Sequence, residues 1–370
     1  FRAGAFRTAS DRLQQLVGMD LSDGLHLKVA QLMAQTLECE GVSGVLSQRR
    51  FREYAPVQHL AEGGTILSGI GRHDQAIALL DHALAREPTH APSLYFRGTL
   101  AMFSGDMERS RSLLERAISA DPRFAQSYWA LSMLPLEPDA RRVERVRAGL
   151  ASAMRGYTAE VYFGFALFNE LHAMGSHGPA WSALTAACIA KRKQLRYSPD
   201  RQQSLFDALE TWPVSRPQSE VQLPNRAYRP VFIVGMHRSG TTLLESLLAG
   251  HPQVADGGES YSFTVEAKYL MNRQWDGVVD AEAIRWFGGI APSSLQRLAE
   301  RYRERNGWRA AQRAVLTEKL PSNVLVLGPI AEALPEALFL HVRRDAVETC
   351  FSNFRTLFST ACGYSYDIQE

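Results

Sequence analysis

Pro230-Val231-Phe232-Ile233-Val234-Gly235-Met236-His237-Arg238-Ser239-Gly240-Thr241-Thr242, running on into LLESLLAGHP at 243–252, is an apolar run, a glycine-bearing loop and a helical pattern in immediate succession. The β-branched run up to Val234 has polar residues at neither face, which is the pattern of a buried parallel strand. A loop that leads from such a strand into a helix exposes backbone N–H groups at the helix start, where the helix dipole favours an anion. Thr241 and Thr242 add hydroxyl donors. The stretch therefore predicts a phosphate-binding turn. It is not a Walker A sequence: the G-x4-G spacing is present, but Thr241 stands where the triphosphate-binding lysine belongs. The cation sits inside the loop instead, at Arg238. No apolar strand ends in a magnesium-holding Asp, so a metal-dependent kinase or ATPase loses ground on both counts.

Upstream, residues 197–229 mix prolines with polar residues. They predict a short helix around Gln202–Thr211 and then an extended linker, with a boundary at Pro230. Further upstream the chain repeats itself. Gly64, Gly98 and Ser132 are 34 residues apart, and Gly71/Gly105, Leu80/Leu114, Ala83/Ala117, Leu84/Ile118 and Pro88/Pro122 share the interval. A period of that length accommodates two antiparallel helices per unit. The small residues at 64, 98 and 132 let neighbouring helices approach, Gly71 and Gly105 turn the chain, and Pro88 and Pro122 stop the second helix.

GRHDQAIALLDHALAREP and GDMERSRSLLERAISADP resemble tetratricopeptide repeats, most specifically over 57–124. A degenerate unit at 125–154 and a further helical pair at 159–193 continue the pattern, and residues 1–56 are helix-like with less regularity. Stacked repeats of this kind form a superhelix with a concave face suited to a peptide or protein partner. A structural spacer or dimerisation arm is the plain alternative.

The chain has 370 residues, 45% of them hydrophobic and 22% charged, the balance of a globular protein with two or three domains. Forty-one basic residues against 39 acidic leave +2, which argues against nucleic acid as the main partner. No apolar run is long enough to span a membrane. Cys39, Cys188, Cys350 and Cys362 follow neither metal-ligand spacing nor a disulfide framework, so a reduced, cytoplasmic location and no metal are expected. The chain opens at Phe1, which leaves a removed signal peptide open. Five lysines among 41 basic residues make each lysine a candidate for a role arginine cannot fill.

PVFIVGMHRSGTTLLESLLAGHP also resembles the 5′-phosphosulfate loop of sulfotransferases that use 3′-phosphoadenosine 5′-phosphosulfate (PAPS). The arginine within the loop is similar to that of bacterial tetratricopeptide-sulfotransferase proteins and of protein-tyrosine sulfotransferases. Those relatives usually carry proline where His237 stands. A second patch, ALFLHVRRDAVETCFSNF, reads as a strand over 337–342 and a helix from near Ala346. A further helix is expected near Ser293. The resemblance implies a fold, a donor and site residues. The fold is an α superhelix followed by an α/β, P-loop-like domain with a central parallel sheet, and ligands lie at the carboxyl ends of its strands. Arg238, Ser239, Gly240, Thr241 and Thr242 would hold the 5′-phosphosulfate of PAPS. Arg344 and Ser352, eight residues apart, would hold the 3′-phosphate. Lys319 in VLTEKLPSN would carry charge near the transferring group, and Arg238 would neutralise the leaving phosphate. Glu259 in HPQVADGGES, at the position of the catalytic glutamate counted without a gap from Arg238, would take the acceptor proton, with Asp256 a weaker rival. The plain alternatives are a helix cap or loop salt bridge for Glu259 and a surface Arg–Asp pair with a helix-face serine for Arg344 and Ser352. His251 is expected in a loop, and His341 in the core or just behind the site residues.

The resulting division is 1–56 helical, 57–196 repeats, 197–229 linker and 230–370 sulfotransferase domain, apparently incomplete at its C-terminal end. The expected function is sulfuryl transfer from PAPS to a hydroxyl acceptor, a protein or peptide tyrosine among them, with 3′-phosphoadenosine 5′-phosphate (PAP) as product and a protein partner on the repeat groove. The leading alternative is a repeat scaffold that binds a partner while its sulfotransferase-like domain is inactive.

Overall fold

The computed structural model describes residues 5–19, 21, 24–212, 228–358 and 362–369. The chain divides into two compact units, one comprising residues 12–197 with 357–370 and the other residues 1–11 with 198–356.

The first unit is helical. Val57–Gly69 pairs with His73–Arg86, Ala91–Phe103 with Met107–Ala120, and Thr158–Ala173 with His177–Lys193, while Ala125–Ser132 and Ala140–Ser152 each pack against Thr158–Ala173. Within His73–Arg86 the buried residues are Ala76, Leu79, Leu80 and Ala83, the i, i+3, i+4, i+7 stripe of an amphipathic helix. The period seen in the sequence has a packing cause. A Cβ at Gly64 would lie 2.7 Å from Leu80 Cγ, and one at Gly98 would lie 3.1 Å from Leu114 Cγ. The first pair therefore closes over its leucine because the facing residue is glycine, and at Gly98 a side chain would require Leu114 to give by a few tenths of an ångström. Gly71 and Gly105 turn between the paired helices with φ of 82° and 83°. Arg97 reaches back to Asp81 at 2.9 Å, and the buried Arg142–Glu170 pair, also at 2.9 Å, ties Ala140–Ser152 to Thr158–Ala173. Ahead of the repeats lie helices Leu25–Gln35, Cys39–Ser47 and Arg49–Tyr54. Residues near the C-terminus return to this unit: the Tyr366 ring meets Phe165 edge-on, and its hydroxyl donates to the Phe358 carbonyl at 2.9 Å.

The second unit is built on four parallel strands, β1 (Arg229–Gly235), β2 (Val254–Asp256), β3 (Val315–Glu318) and β4 (Leu338–Val342), in the order β2-β3-β1-β4. β1 is buried from Pro230 to Gly235, as an apolar strand between two neighbours must be. Its Gly235 pairs with Val342 at the end of β4, whereas β3 ends at Glu318 opposite Phe232. β3 thus stops three residues short of the end of β1, and Lys319 is the first residue past it. The helix around 202–211 is present as Pro199–Glu210, its Ser198 hydroxyl accepting the Arg201 amide at 3.3 Å. The rest of the expected linker, 213–227, lies outside the described residues. The helix expected near Ser293 is Pro292–Ala310. Phe232, Val234, Phe263, Ile284, Phe287, Leu298, Tyr302 and Ile330 form the core around the sheet. His341 is exposed, not a core residue, because β4 is the edge strand among the described residues.

Glu318, 2% exposed, closes β3 inside this core and accepts from Tyr302 Oη at 3.0 Å and Asn323 Nδ2 at 2.8 Å. Burial pushes its carboxyl from the ordinary 4.5 up to about 7, the two hydrogen bonds acting in the opposite direction. The folded chain keeps this proton to a higher pH than the unfolded chain. Stability is therefore full below the ordinary carboxylate range and is lost as pH rises through about 7, by on the order of 3 kcal/mol. Glu318→Gln keeps the shape of the protonated acid. It should flatten the pH dependence of the unfolding midpoint between about pH 5 and about pH 8. A slope equal to that of the wild type in a thermal-melt series would contradict this assignment.

Candidate functional site

The loop from β1 to the helix Thr241–Ala249 is shaped by its backbone. Gly235 has φ 152°, and a Cβ there would lie 2.5 Å from the Val342 carbonyl, so the start of the loop can press against β4 only as glycine. Arg238 has φ 68°, in the left-handed region where non-glycine residues are uncommon. Two contacts from the helix Ala346–Phe354 hold the loop there: Asn353 Nδ2 donates to the His237 carbonyl at 2.7 Å, and Arg238 Nε donates to Ser352 Oγ at 3.3 Å. Gly240 begins the helix Thr241–Ala249 without a side-chain cap, leaving its first-turn amides directed into the loop. Ser239 is buried, and its hydroxyl has no hydrogen-bond partner among the described residues. A buried hydroxyl without a partner costs about 1–3 kcal/mol, so its presence in this loop argues for an anion as its missing acceptor. Thr241 is buried and Thr242 exposed.

Arg344 follows β4 and Ser352 lies in the helix after it. Arg238, Arg344, Ser352, Glu348, Phe351, Arg355 and Thr356 line one cavity of about 490 Å³. The structure thus brings Arg238, Arg344 and Ser352 together. Sequence reasoning missed Arg355, whose basicity is lowered by burial and by the neighbouring Arg238. It lies three residues after Ser352, one helical turn on, and that spacing was the available signal. Glu348 was missed as well. Its carboxylate engages the Arg344 Nε at 2.8 Å, in the i, i+4 relation. Three guanidinium groups against one carboxylate give the cavity lining an excess of positive charge.

Glu259 and Lys319 form an ion pair, Lys319 buried and Glu259 58% exposed. Lys319 directly follows the short β3, and Glu259 lies three residues beyond β2, so both emerge at the carboxyl edge of the sheet. Asp256 ends β2 and accepts the Gly258 amide at 2.9 Å, which shapes the turn leading to Glu259. His237 lies near this pair, its Nε2 3.3 Å from Ser322 Oγ. Burial lowers its pKa; Glu259 works against that shift and Lys319 with it, so the imidazole is neutral at neutral pH. His251 is exposed after the helix, as expected of a loop residue. Among the described residues no three His, Cys, Asp or Glu side chains gather as a metal site, and no helix is long and apolar enough to cross a membrane.

Comparison with known proteins adds the family. Residues 230–370 match the sulfotransferase family, and residues 70–132 match the tetratricopeptide repeat. A protein of Aquifex aeolicus (strain VF5) bearing the name "Uncharacterized protein" is 23% identical over 304 residues. The match takes in 80% of this chain but only 39% of that protein's length. Among solved structures, "MamA RS-1 ArsTM double mutant" is similar at 18% identity and a TM-score of 0.34, over 48% of this chain and 100% of that one. The chain joins tetratricopeptide repeats to a domain of the sulfotransferase family.

Proposed function

We propose that the chain transfers a sulfuryl group from PAPS to a hydroxyl acceptor. One observation carries the choice of donor: Arg238 of the phosphate loop meets Ser352 and Arg344 around a single cavity, although 114 residues separate Arg238 from Ser352. The two phosphate positions of PAPS are joined through one ribose, so a protein that selects it needs two anion sites a sugar apart. ADP or ATP would leave the second site without a ligand. The partnerless Ser239 hydroxyl and the uncapped helix start suit a 5′-phosphosulfate, and the arginines suit a 3′-phosphate.

When bound, PAPS supplies an electrophilic sulfur and a phosphate leaving group. Arg238, Ser239 and the backbone from Gly240 to Thr242, with the threonine hydroxyls, hold the 5′ end, and Arg344 and Ser352 hold the 3′ end. Lys319 contributes a positive charge for the oxygens of the reacting group. Glu259, exposed enough to meet an acceptor, takes the hydroxyl proton. The repeats favour an acceptor presented on a peptide or protein, tyrosine included, because their stacked helices offer a concave face.

Calorimetric titration of the chain with PAP, with ADP and magnesium as control, tests the donor. Binding that needs the 3′-phosphate and no metal supports the reading. Equal affinity for magnesium-ADP would overturn it, and PAP binding with no transfer to any hydroxyl acceptor would leave a repeat scaffold with an inactive domain.

A further inference from the structure

Two neighbours in the phosphate loop are sent to opposite sides of β1. Arg238, at φ 68°, turns toward the helix after β4, where its Nε donates to Ser352 Oγ at 3.3 Å. The ring of His237 meets the segment after β3 instead, its Nε2 lying 3.3 Å from Ser322 Oγ. β1 runs between β3 and β4, so the two side chains join its end to both neighbours. The backbone of His237 is fixed independently of its ring, because its carbonyl accepts from Asn353 Nδ2 at 2.7 Å. A proline here, usual in the relatives the loop resembles, has no ring donor or acceptor and could make no bond to Ser322.

Ser322 stands in the turn Pro321–Val326, three residues after Lys319. The stretch between them is held on its other sides. Leu320 is buried in the core, Asn323 Nδ2 donates to Glu318 Oε1 at 2.8 Å, and the Lys319 amide donates to the Gly258 carbonyl at 2.9 Å. The His237–Ser322 contact adds the tie from the phosphate loop. We propose that His237 is a positioning residue: through Ser322 it fixes the turn that carries Lys319 against the phosphate loop, and so sets the lysine at the 5′ end of the donor. What Lys319 does there rests on the sulfotransferase reading above. Burial keeps the imidazole neutral at neutral pH, so the tie brings no second positive charge to that turn. Arg238 and His237 thereby divide the work of the loop, one reaching the 3′-phosphate side and the other the Lys319–Glu259 side.

The test has two arms on the full chain. With PAPS and a phenolic acceptor, His237→Ala and Ser322→Ala should each lower turnover by about tenfold. The double variant should be no slower than either, because both changes remove the same contact. PAP affinity should stay nearly unchanged in all three, since neither side chain lines the cavity of Arg238, Arg344 and Ser352. His237→Gln, whose terminal amide reaches as far as Nε2, should recover most of the turnover. His237→Asn, which reaches only as far as Nδ1, should not. Additive losses, a parallel loss of PAP affinity, or no recovery in His237→Gln overturns the proposal. The second arm needs no turnover: in a chain with isotope-labelled lysine, the ammonium resonance of Lys319, identified by its absence in Lys319→Arg, should move in His237→Ala and in Ser322→Ala and return in His237→Gln. An unmoved resonance also overturns it. If the wild type transfers nothing from PAPS, the reaction assignment fails, and the resonance alone decides whether His237 positions Lys319.

Discussion

Glu259→Gln lowers the turnover of sulfuryl transfer by about 10²–10⁴-fold, the usual contribution of a general base, and leaves PAP affinity nearly unchanged. The amide keeps the shape and reach of the carboxylate but cannot take a proton. Glu259 is the more exposed member of its pair, so an approaching hydroxyl can reach it, whereas Lys319 is fixed from below by the end of β3. The affinity half of the prediction comes from geometry: Glu259 does not line the cavity formed by Arg238, Arg344 and Ser352. Its loss frees Lys319 from a carboxylate, which acts if anything in favour of an anionic ligand. Steady-state turnover with a phenolic acceptor, alongside calorimetry with PAP, separates the two quantities. Turnover equal to the wild type sinks the assignment of Glu259, and Asp256 then becomes the base to examine.

Arg344→Ala weakens PAP binding by about 2 kcal/mol, roughly 30-fold in Kd, and leaves ADP binding unaffected. The lower end of the range for a charged contact is expected because Arg344 is 46% exposed. Without ligand its guanidinium is engaged by Glu348, and a 3′-phosphate has to compete with that carboxylate. Glu348→Gln therefore changes affinity in the opposite direction, strengthening PAP binding by a few-fold. Titrations of the two variants with PAP and ADP at one salt concentration read both effects. A loss in Arg344→Ala that is the same for ADP would mean that Arg344 serves the fold or the shared diphosphate rather than the 3′-phosphate.

Much of this architecture is written locally. The 34-residue period is visible because each repeat needs a small residue where a helix closes over a leucine, as Gly64 does over Leu80 and Gly98 over Leu114. The strand, loop and helix around Arg238 are visible for a similar reason. A short, β-branched apolar run that ends at a glycine reads as a buried strand, and Gly235 and Gly240 occupy backbone conformations that L-residues avoid. The apolar run at 337–342 signals a strand equally well, yet it misleads about His341, since local pattern does not say that β4 lies at an edge.

The order of elements and the residue types at each turn are legible in the chain, because helix and strand periods, glycine conformations and phosphate-loop chemistry act over a few residues. Which of those turns meet is settled in three dimensions. The strand order β2-β3-β1-β4 sets Lys319 beside Glu259, 60 residues away in the chain, and Arg238 beside Ser352, 114 residues away. The same packing makes Glu245 a buried partner of the Thr317 hydroxyl rather than one more acid on a helix. Such meetings depend on strand registers and on burial, which arise from contacts across the whole unit and leave no spacing in the chain to read.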